Sequence, residues 1–187
     1  MAAAAALVAL VAGLTFLRSS SGEKSDRVTP SAPAIDLSAA PDGYRLERVE
    51  GGLRTAVPKG WRRVAEKTDG ILEARYLVLD GPEVMRSLRV FDLAGSTPRQ
   101  SIELIRAAGN VEERTGPKPF KAKNASGYSM EYLHRITATV YTVSIRFKAA
   151  DGRSYGVDAF VRDDEDFTDA DVRTIAETAV RYLQGSR

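Results

Sequence analysis

The stretch YTVSIRFKAADGRSYGVDAFV, residues 141–161, decides the fold. Tyr141, Val143, Ile145 and Phe147 fall on one side of an extended chain and Thr142, Ser144 and Arg146 on the other, the two-residue period of a strand with one buried face. Asp151-Gly152 then supplies a tight turn, after which Tyr155, Val157, Ala159 and Val161 resume the alternation. The stretch predicts a long antiparallel hairpin. With these apolar residues turned to the core, Phe160 points the other way beside Asp158 and Arg162, toward a second helix layer or solvent.

Upstream, Tyr128, Met130, Tyr132, His134 and Ile136 alternate with Ser129, Glu131 and Arg135, predicting a further strand with its aromatic face inward. Residues 116–119, with two prolines, read as the connector before it. Thr97 followed by Pro98 and Gln100 has the form of an N-cap, a first-turn proline and a capping-box partner. The helix it opens carries Ile102, Ile105 and Ala108, and Gly109-Asn110 predicts a left-handed stop. Residues 71–79 and 87–93 form a strand pair about the turn Asp80-Gly81-Pro82. Leu72, Ala74, Tyr76 and Val78 share one face there, and Glu73 and Arg75 the other. Residues 44–50 and 53–57 flank Gly51-Gly52 and predict an opening hairpin.

The closing segment, residues 168–184, begins with a capping box from Thr168 to Asp171 and carries Val172, Ile175, Ala176, Ala179 and Leu183 along one stripe. Successive hairpins with two helices laid against them define an α+β domain, an antiparallel sheet covered by helices. That domain spans residues 43–187, enough chain to bury a core without disulfide or metal staples.

The run Gly52-Leu53-Arg54-Thr55-Ala56-Val57-Pro58-Lys59-Gly60-Trp61 resembles the G-aromatic-x-x-x-V-P-x-G-W opening of PsbP-like extracytoplasmic domains. Such domains are common in actinobacterial cell-envelope proteins, some of them tethered to serine/threonine protein kinases. Leu53 stands where the family carries an aromatic. The later Gly-x-x-Ala-x-x-Trp-x-Tyr strand is represented by Gly127, Tyr128, Glu131 and Tyr132, without its Trp. The resemblance implies a PsbP-like fold over residues 44–183 and binding or assembly work in place of catalysis.

Ahead of the domain, residues 1–17 contain no charged side chain, and residues 18–42 are rich in Ser, Pro and Ala. As a helix the first segment measures about 25 Å, slightly short of a hydrocarbon core of about 30 Å. Leu7, Val8, Leu10, Val11, Leu14, Phe16 and Leu17 favour insertion, so the segment is expected to act as a signal-anchor or signal peptide, with 18–42 as a flexible spacer. Arg18, Lys24 and Arg27 lie after the apolar run, which by the positive-inside tendency disfavours export of the downstream domain. The chain has no Cys, which excludes disulfides, thiolate metal sites and a lipid-modified cysteine. Its 27 basic and 25 acidic residues are interspersed, without the basic stripe of a nucleic-acid binder.

His134 is the one histidine of the chain and would carry any histidine-based mechanism, and its place between Tyr132 and Ile136 predicts a hydrogen-bonded sheet histidine. Asp163, Asp164, Glu165 and Asp166, with Asp169 and Asp171, lack the loop grammar of a calcium site and read as complements to a helix N-terminus. No catalytic, cofactor or metal residue is assigned. Trp61, Arg62, Arg63 and Phe160 form the candidate interaction surface, with the competing reading that Trp61 packs under the first hairpin and the arginines are solvated. The sequence therefore predicts a non-catalytic module, membrane-tethered or secreted, on the extracytoplasmic face, recognising a protein or envelope component. The alternatives are a small envelope hydrolase using an acidic pair or His134, and the detached ectodomain of a longer signalling protein.

Overall fold

The computed structural model describes residues 38–49, 53–64, 73–80, 83–135, 139–162 and 167–185. The apolar leader, the Gly51-Gly52 turn and the run Asp163 to Asp166 lie outside them. Among the described residues the chain forms β1 (Tyr44–Arg48), β2 (Leu53–Pro58), β3 (Arg62–Val64), β4 (Glu73–Asp80), β5 (Glu83–Asp92), α1 (Pro98–Ala107), β6 (Val111–Ala122), β7 (Ala125–Arg135), β8 (Thr139–Ala149), β9 (Ser154–Arg162), α2 (Asp169–Arg181) and β10 (Gln184–Gly185).

The hairpin of residues 141–161 forms β8 and β9 near the middle of an antiparallel sheet of seven strands, in the order β3-β4-β5-β9-β8-β7-β6. A separate sheet, β1-β2-β10, carries the opening hairpin, with Tyr44 opposite Pro58 and Arg48 opposite Arg54. The α+β expectation is met, with two sheets where the sequence suggested one. The opening hairpin pairs with no strand of the large sheet, and β10, two residues long, adds a third strand to it by pairing with β2 after α2 ends.

The apolar face of the large sheet holds the main core: Ala74, Tyr76, Leu88, Val90, Val143, Ile145, Phe147, Val157 and Ala159. It meets Val172, Ile175, Ala176 and Ala179 of α2 together with Leu53, Val57 and Trp61. Thr55 Oγ1 donates to the carbonyl of Ala179 at 3.0 Å, joining β2 to α2. Gly127 is required where β7 crosses β8, since a Cβ there would lie 2.0 Å from the carbonyl oxygen of Arg146. On the opposite face α1 encloses a second core, in which Ile102 packs on Met130 and Tyr132, with Ile105, Val111 and Tyr128 around them.

Both helices start as the sequence predicts. The hydroxyl of Thr97 accepts from the backbone of Gln100, and that of Thr168 from Asp171, each capping box being reciprocal. The end of α1 differs: Ala108 is extended at φ −72°, and Gly109 takes no positive φ. The chain turns straight into β6 there, held by Arg135 N–H donating to the Asn110 carbonyl. Left-handed backbone occurs instead before the helix, at Ala94 and Gly95. The predicted connector at 116–119 is also corrected, because it lies inside the twelve-residue β6. This is the sheet's edge, where a proline's missing N–H costs no ladder bond, and register shifts at Glu113, Thr115 and Lys118 absorb the irregularity.

Candidate functional site

The polar face of the large sheet is buried where half-buried strands would leave it wet. Cross-strand register aligns Glu73 with Phe91 and Gly156 with both Phe91 and Arg146. Arg146 on β8 is only 4% exposed. Its Nη1 donates to Asp158 Oδ1 at 2.6 Å, and its Nε to Ser101 Oγ of α1 at 3.0 Å. Ser144 Oγ also donates to Asp158 Oδ1, at 2.6 Å, so the Tyr132 hydroxyl is the donor in its 3.1 Å bond to Ser144. Burial, and then the charge of Asp158, push the Tyr132 phenol up to about 12.

Phe91 lies between two guanidinium groups, with Arg89 Cζ 4.7 Å and Arg146 Cζ 4.8 Å from its ring centroid. Each such contact is worth about 0.5–2 kcal/mol. Arg89 also grips the buried Glu73 through both carboxylate oxygens, its Nη2 at 2.7 Å. Gly156 clears space for the ring, since a Cβ there would come within 2.4 Å of it. Charge is thus balanced inside the layer, and α1 is fastened to it by the Ser101 bond.

A second fastening joins α2 to β7. Arg173 donates twice to Glu131, both bonds 2.8 Å, and Tyr141 Oη donates to the same carboxylate at 2.8 Å. The Arg173 hydrogen bond, opposed in part by burial, holds the Glu131 carboxyl below its ordinary range. Burial and this contact raise the Tyr141 phenol. Beside them a hollow of about 260 Å³ is lined by apolar Leu133, Val161, Phe167 and Val172 and equally by polar residues, Asp169 among them. His134 is not one of its walls.

The region of β1 to β3 is different. Residues 44–64 carry six basic and two acidic residues in a chain that otherwise leans slightly acidic. Arg45 is held by Glu47 and by the carbonyls of Pro58 and Trp61. Arg48, Lys59, Arg62 and Arg63 are exposed, and Arg54 is half-buried. None of these five makes an ion pair among the described residues. Arg63 Nη1 donates to the carbonyl of Arg48 at 3.1 Å, drawing β3 against the end of β1. Arg48 and Arg54 stand directly opposite each other, a like-charge pair that disfavours the strand pairing by itself.

The four candidate contact residues separate accordingly. Trp61 is 5% exposed and belongs to the main core, so it is removed from the surface; its large apolar ring is what the first hairpin closes over. Arg62 and Arg63 are exposed on the edge strand β3, on opposite faces of the sheet. Phe160 is half-buried between Ser87 and Thr142. The row Arg62, Leu77, Ser87, Phe160 puts it on the same face as Arg62, three strand spacings or about 14 Å away. His134 stands edge-on to Tyr132, with centroids 6.4 Å apart, and no carboxylate or hydroxyl among the described residues bonds it. That corrects the hydrogen-bonded histidine expected there: its neighbours across the strands are Val111 and Val140, which offer no polar side chain. Asp171 serves the α2 cap, and its carboxyl is lowered first by the Thr168 backbone N–H and then by the Thr168 hydroxyl. Among the described residues no three acidic or histidine side chains converge as a metal site would need, and no helix is long and apolar enough to cross a membrane. The buried Arg146–Asp158 pair is what sequence reasoning missed; the only trace is an arginine and an aspartate on the polar phase of adjacent strongly patterned strands.

These features define a class: an α+β domain of two antiparallel sheets and two helices, with its charged face locked internally and a cationic edge open. No protein-family model matches the chain, and no curated protein does. Among solved structures the fold is similar to that of the Saccharomyces cerevisiae Ran-binding protein Mog1p, with a TM-score of 0.53 and 12% identity over 75% of this chain and 94% of that one. The solution structure of the cyanobacterial PsbP (CyanoP) of Synechocystis sp. PCC 6803 aligns at a TM-score of 0.49 and 14% identity, over 84% of this chain and 99% of that one. At these identities the likeness concerns the fold alone.

Proposed function

We propose that this chain is a non-catalytic, PsbP-like binding module, held at the extracytoplasmic face of a membrane by residues 1–17, that recognises an anionic partner through the edge formed by β1 to β3. The observation that carries this reading is the set of five cations, Arg48, Arg54, Lys59, Arg62 and Arg63, without a carboxylate among the described residues. Elsewhere the carboxylates enclosed by the fold, Glu73, Asp158 and Glu131, are each held by an arginine. General acid–base work needs a group free to exchange its proton with substrate, and these are committed. Ser144, the hydroxyl next to Asp158, is fully buried and out of a substrate's reach. The cell-envelope setting rests on the resemblance of the Val57-Pro58-Lys59-Gly60-Trp61 opening and belongs to this proposal.

Protease protection on intact and lysed cells tests the placement, and affinity capture from intact envelopes tests the surface. The domain is expected to be cleaved from outside, and its captured partner to be lost when Arg62 and Arg63 become glutamate. Digestion only after lysis overturns the placement. Turnover of an ester, glycoside or peptide by the purified chain, abolished by His134→Ala, overturns the non-catalytic reading.

A further inference from the structure

We infer that the hollow between the first turn of α2 and the ends of β7, β8 and β9 is a binding site for a small organic amine, an apolar or aromatic body carrying one ammonium group. Its floor is a cross-strand row, Leu133 opposite Tyr141 and Tyr141 opposite Val161, about 10 Å wide on the face of the sheet that meets α2. Phe167, Asp169 and Val172 complete its walls where α2 begins. Tyr141, Val161 and Val172 are buried and Asp169 is exposed, so hydrocarbon lies deep and the carboxylate lies at the rim. A closed cavity of roughly 150 Å³ holds a benzene ring, so the hollow of about 260 Å³ has room for a ring with a short charged arm.

The sign of the ligand's charge follows from which groups around the hollow are already matched. Glu131 is held by Arg173 and by the Tyr141 hydroxyl, and Asp171 by the capping box of α2. Arg86 lies over the Phe167 ring at 3.9 Å, and Arg135, opposite Thr139, is paired with Glu112. Asp169 differs from all of these: its carboxylate makes no ion pair or side-chain hydrogen bond among the described residues. Complementing the N-terminus of α2 does not occupy its oxygens, because that contribution acts through space. Its charge reaches the hollow, since the Tyr141 phenol is raised first by burial, then by Glu131 and then by Asp169. An ammonium entering beside Asp169 therefore finds an unmatched carboxylate, whereas an anion is repelled. The hydrocarbon floor takes the body of the ligand, the division of labour usual in a small-molecule pocket. The hollow shares no residue with the β1–β3 edge, so it stands or falls apart from the reading above.

The test titrates the full chain with phenethylamine, its neutral isostere 2-phenylethanol and the anion phenylacetate, read by calorimetry and by the methyl resonances of Leu133, Val161 and Val172. The amine is expected to bind saturably, to shift those resonances and to bind about tenfold more tightly than the alcohol, with phenylacetate weakest. Asp169→Asn, which leaves the Thr168–Asp171 cap in place, is expected to bring the amine down to the level of the alcohol, and Asp169→Glu to keep the preference for the amine. An unchanged melting curve shows that the Asp169→Asn chain is folded; if it is not, the wild-type ratio of amine to alcohol and the methyl shifts still decide. Equal affinity for amine and alcohol, tighter binding of phenylacetate, or an amine preference that survives Asp169→Asn overturns the inference. So do shifts confined to residues outside the hollow, and so does the absence of saturable amine binding.

Discussion

The polar face under α1 and the edge formed by β1 to β3 are both rich in arginine, and they use it in opposite ways. On that face the enclosed charges are paired: the buried Arg146 binds Asp158, and the half-exposed Arg89 binds the buried Glu73, with Phe91 against both guanidiniums. At the edge Arg48, Arg54, Arg62 and Arg63 have none among the described residues. The difference is one of solvent. A buried arginine must be neutralised, because leaving an ion uncompensated in a low-dielectric layer costs several kcal/mol, whereas an exposed one keeps its hydration and remains available to a partner. The first region is thus charge committed to holding the fold, and the second is charge left hydrated at the surface.

That contrast breaks most sharply at Asp158. Asp158→Ala leaves the 4%-exposed Arg146 without its counter-ion and is expected to destabilise the domain by about 3–5 kcal/mol in denaturant unfolding. A loss under about 1 kcal/mol would mean that water or another group neutralises Arg146. Gly156→Ala comes next, since the added carbon meets the Phe91 ring at 2.4 Å and must displace it from both guanidiniums. The expected cost is about 1–3 kcal/mol, and an unchanged unfolding midpoint would show that the ring moves aside freely.

The Glu131–Arg173 bond gives a smaller effect that depends on pH. The Glu131 carboxyl is lowered in the folded chain, so its contribution is fully present above the unfolded value of about 4.3 and fades as pH falls through the folded one. Stability measured between about pH 5 and pH 2 is expected to fall in the wild type and to fall less steeply in Glu131→Gln, with Asp171 supplying part of the remaining slope. Identical acid limbs would remove Glu131 from the account. The smallest change in stability belongs to the edge: Arg62→Gln with Arg63→Gln is expected to stay within about 0.5 kcal/mol of wild type. A larger loss would make these arginines structural and erase the distinction between the two regions.

Much of this was legible in the sequence where the determinants are local. Thr97 with Gln100 and Thr168 with Asp171 marked both helix starts, because a capping box closes within one turn. The alternation at 141–161 gave β8 and β9 their faces for the same reason. The β6 strand was hidden by Pro117 and Pro119, which signal a turn locally and are tolerated only because this strand ends the sheet. Strands β3 and β10, three and two residues long, carry no period to read. Of the two readings of the Trp61 region, the structure has the one in which Trp61 packs into the core and Arg62 and Arg63 are solvated, because a ring of that size is drawn into the nearest core.

By itself the sequence determined the strand period, the helix caps and the apolar character of residues 1–17. Tertiary structure alone decided that the polar phase of β8 and β9 is buried under α1, that Arg146 meets an aspartate on the next strand and a serine 45 residues away, and that the cations of the small sheet meet no carboxylate among the described residues. Periodicity and capping depend on neighbours in the chain, which the sequence states. Whether a charge is neutralised or left open depends on which distant segments the fold brings beside it.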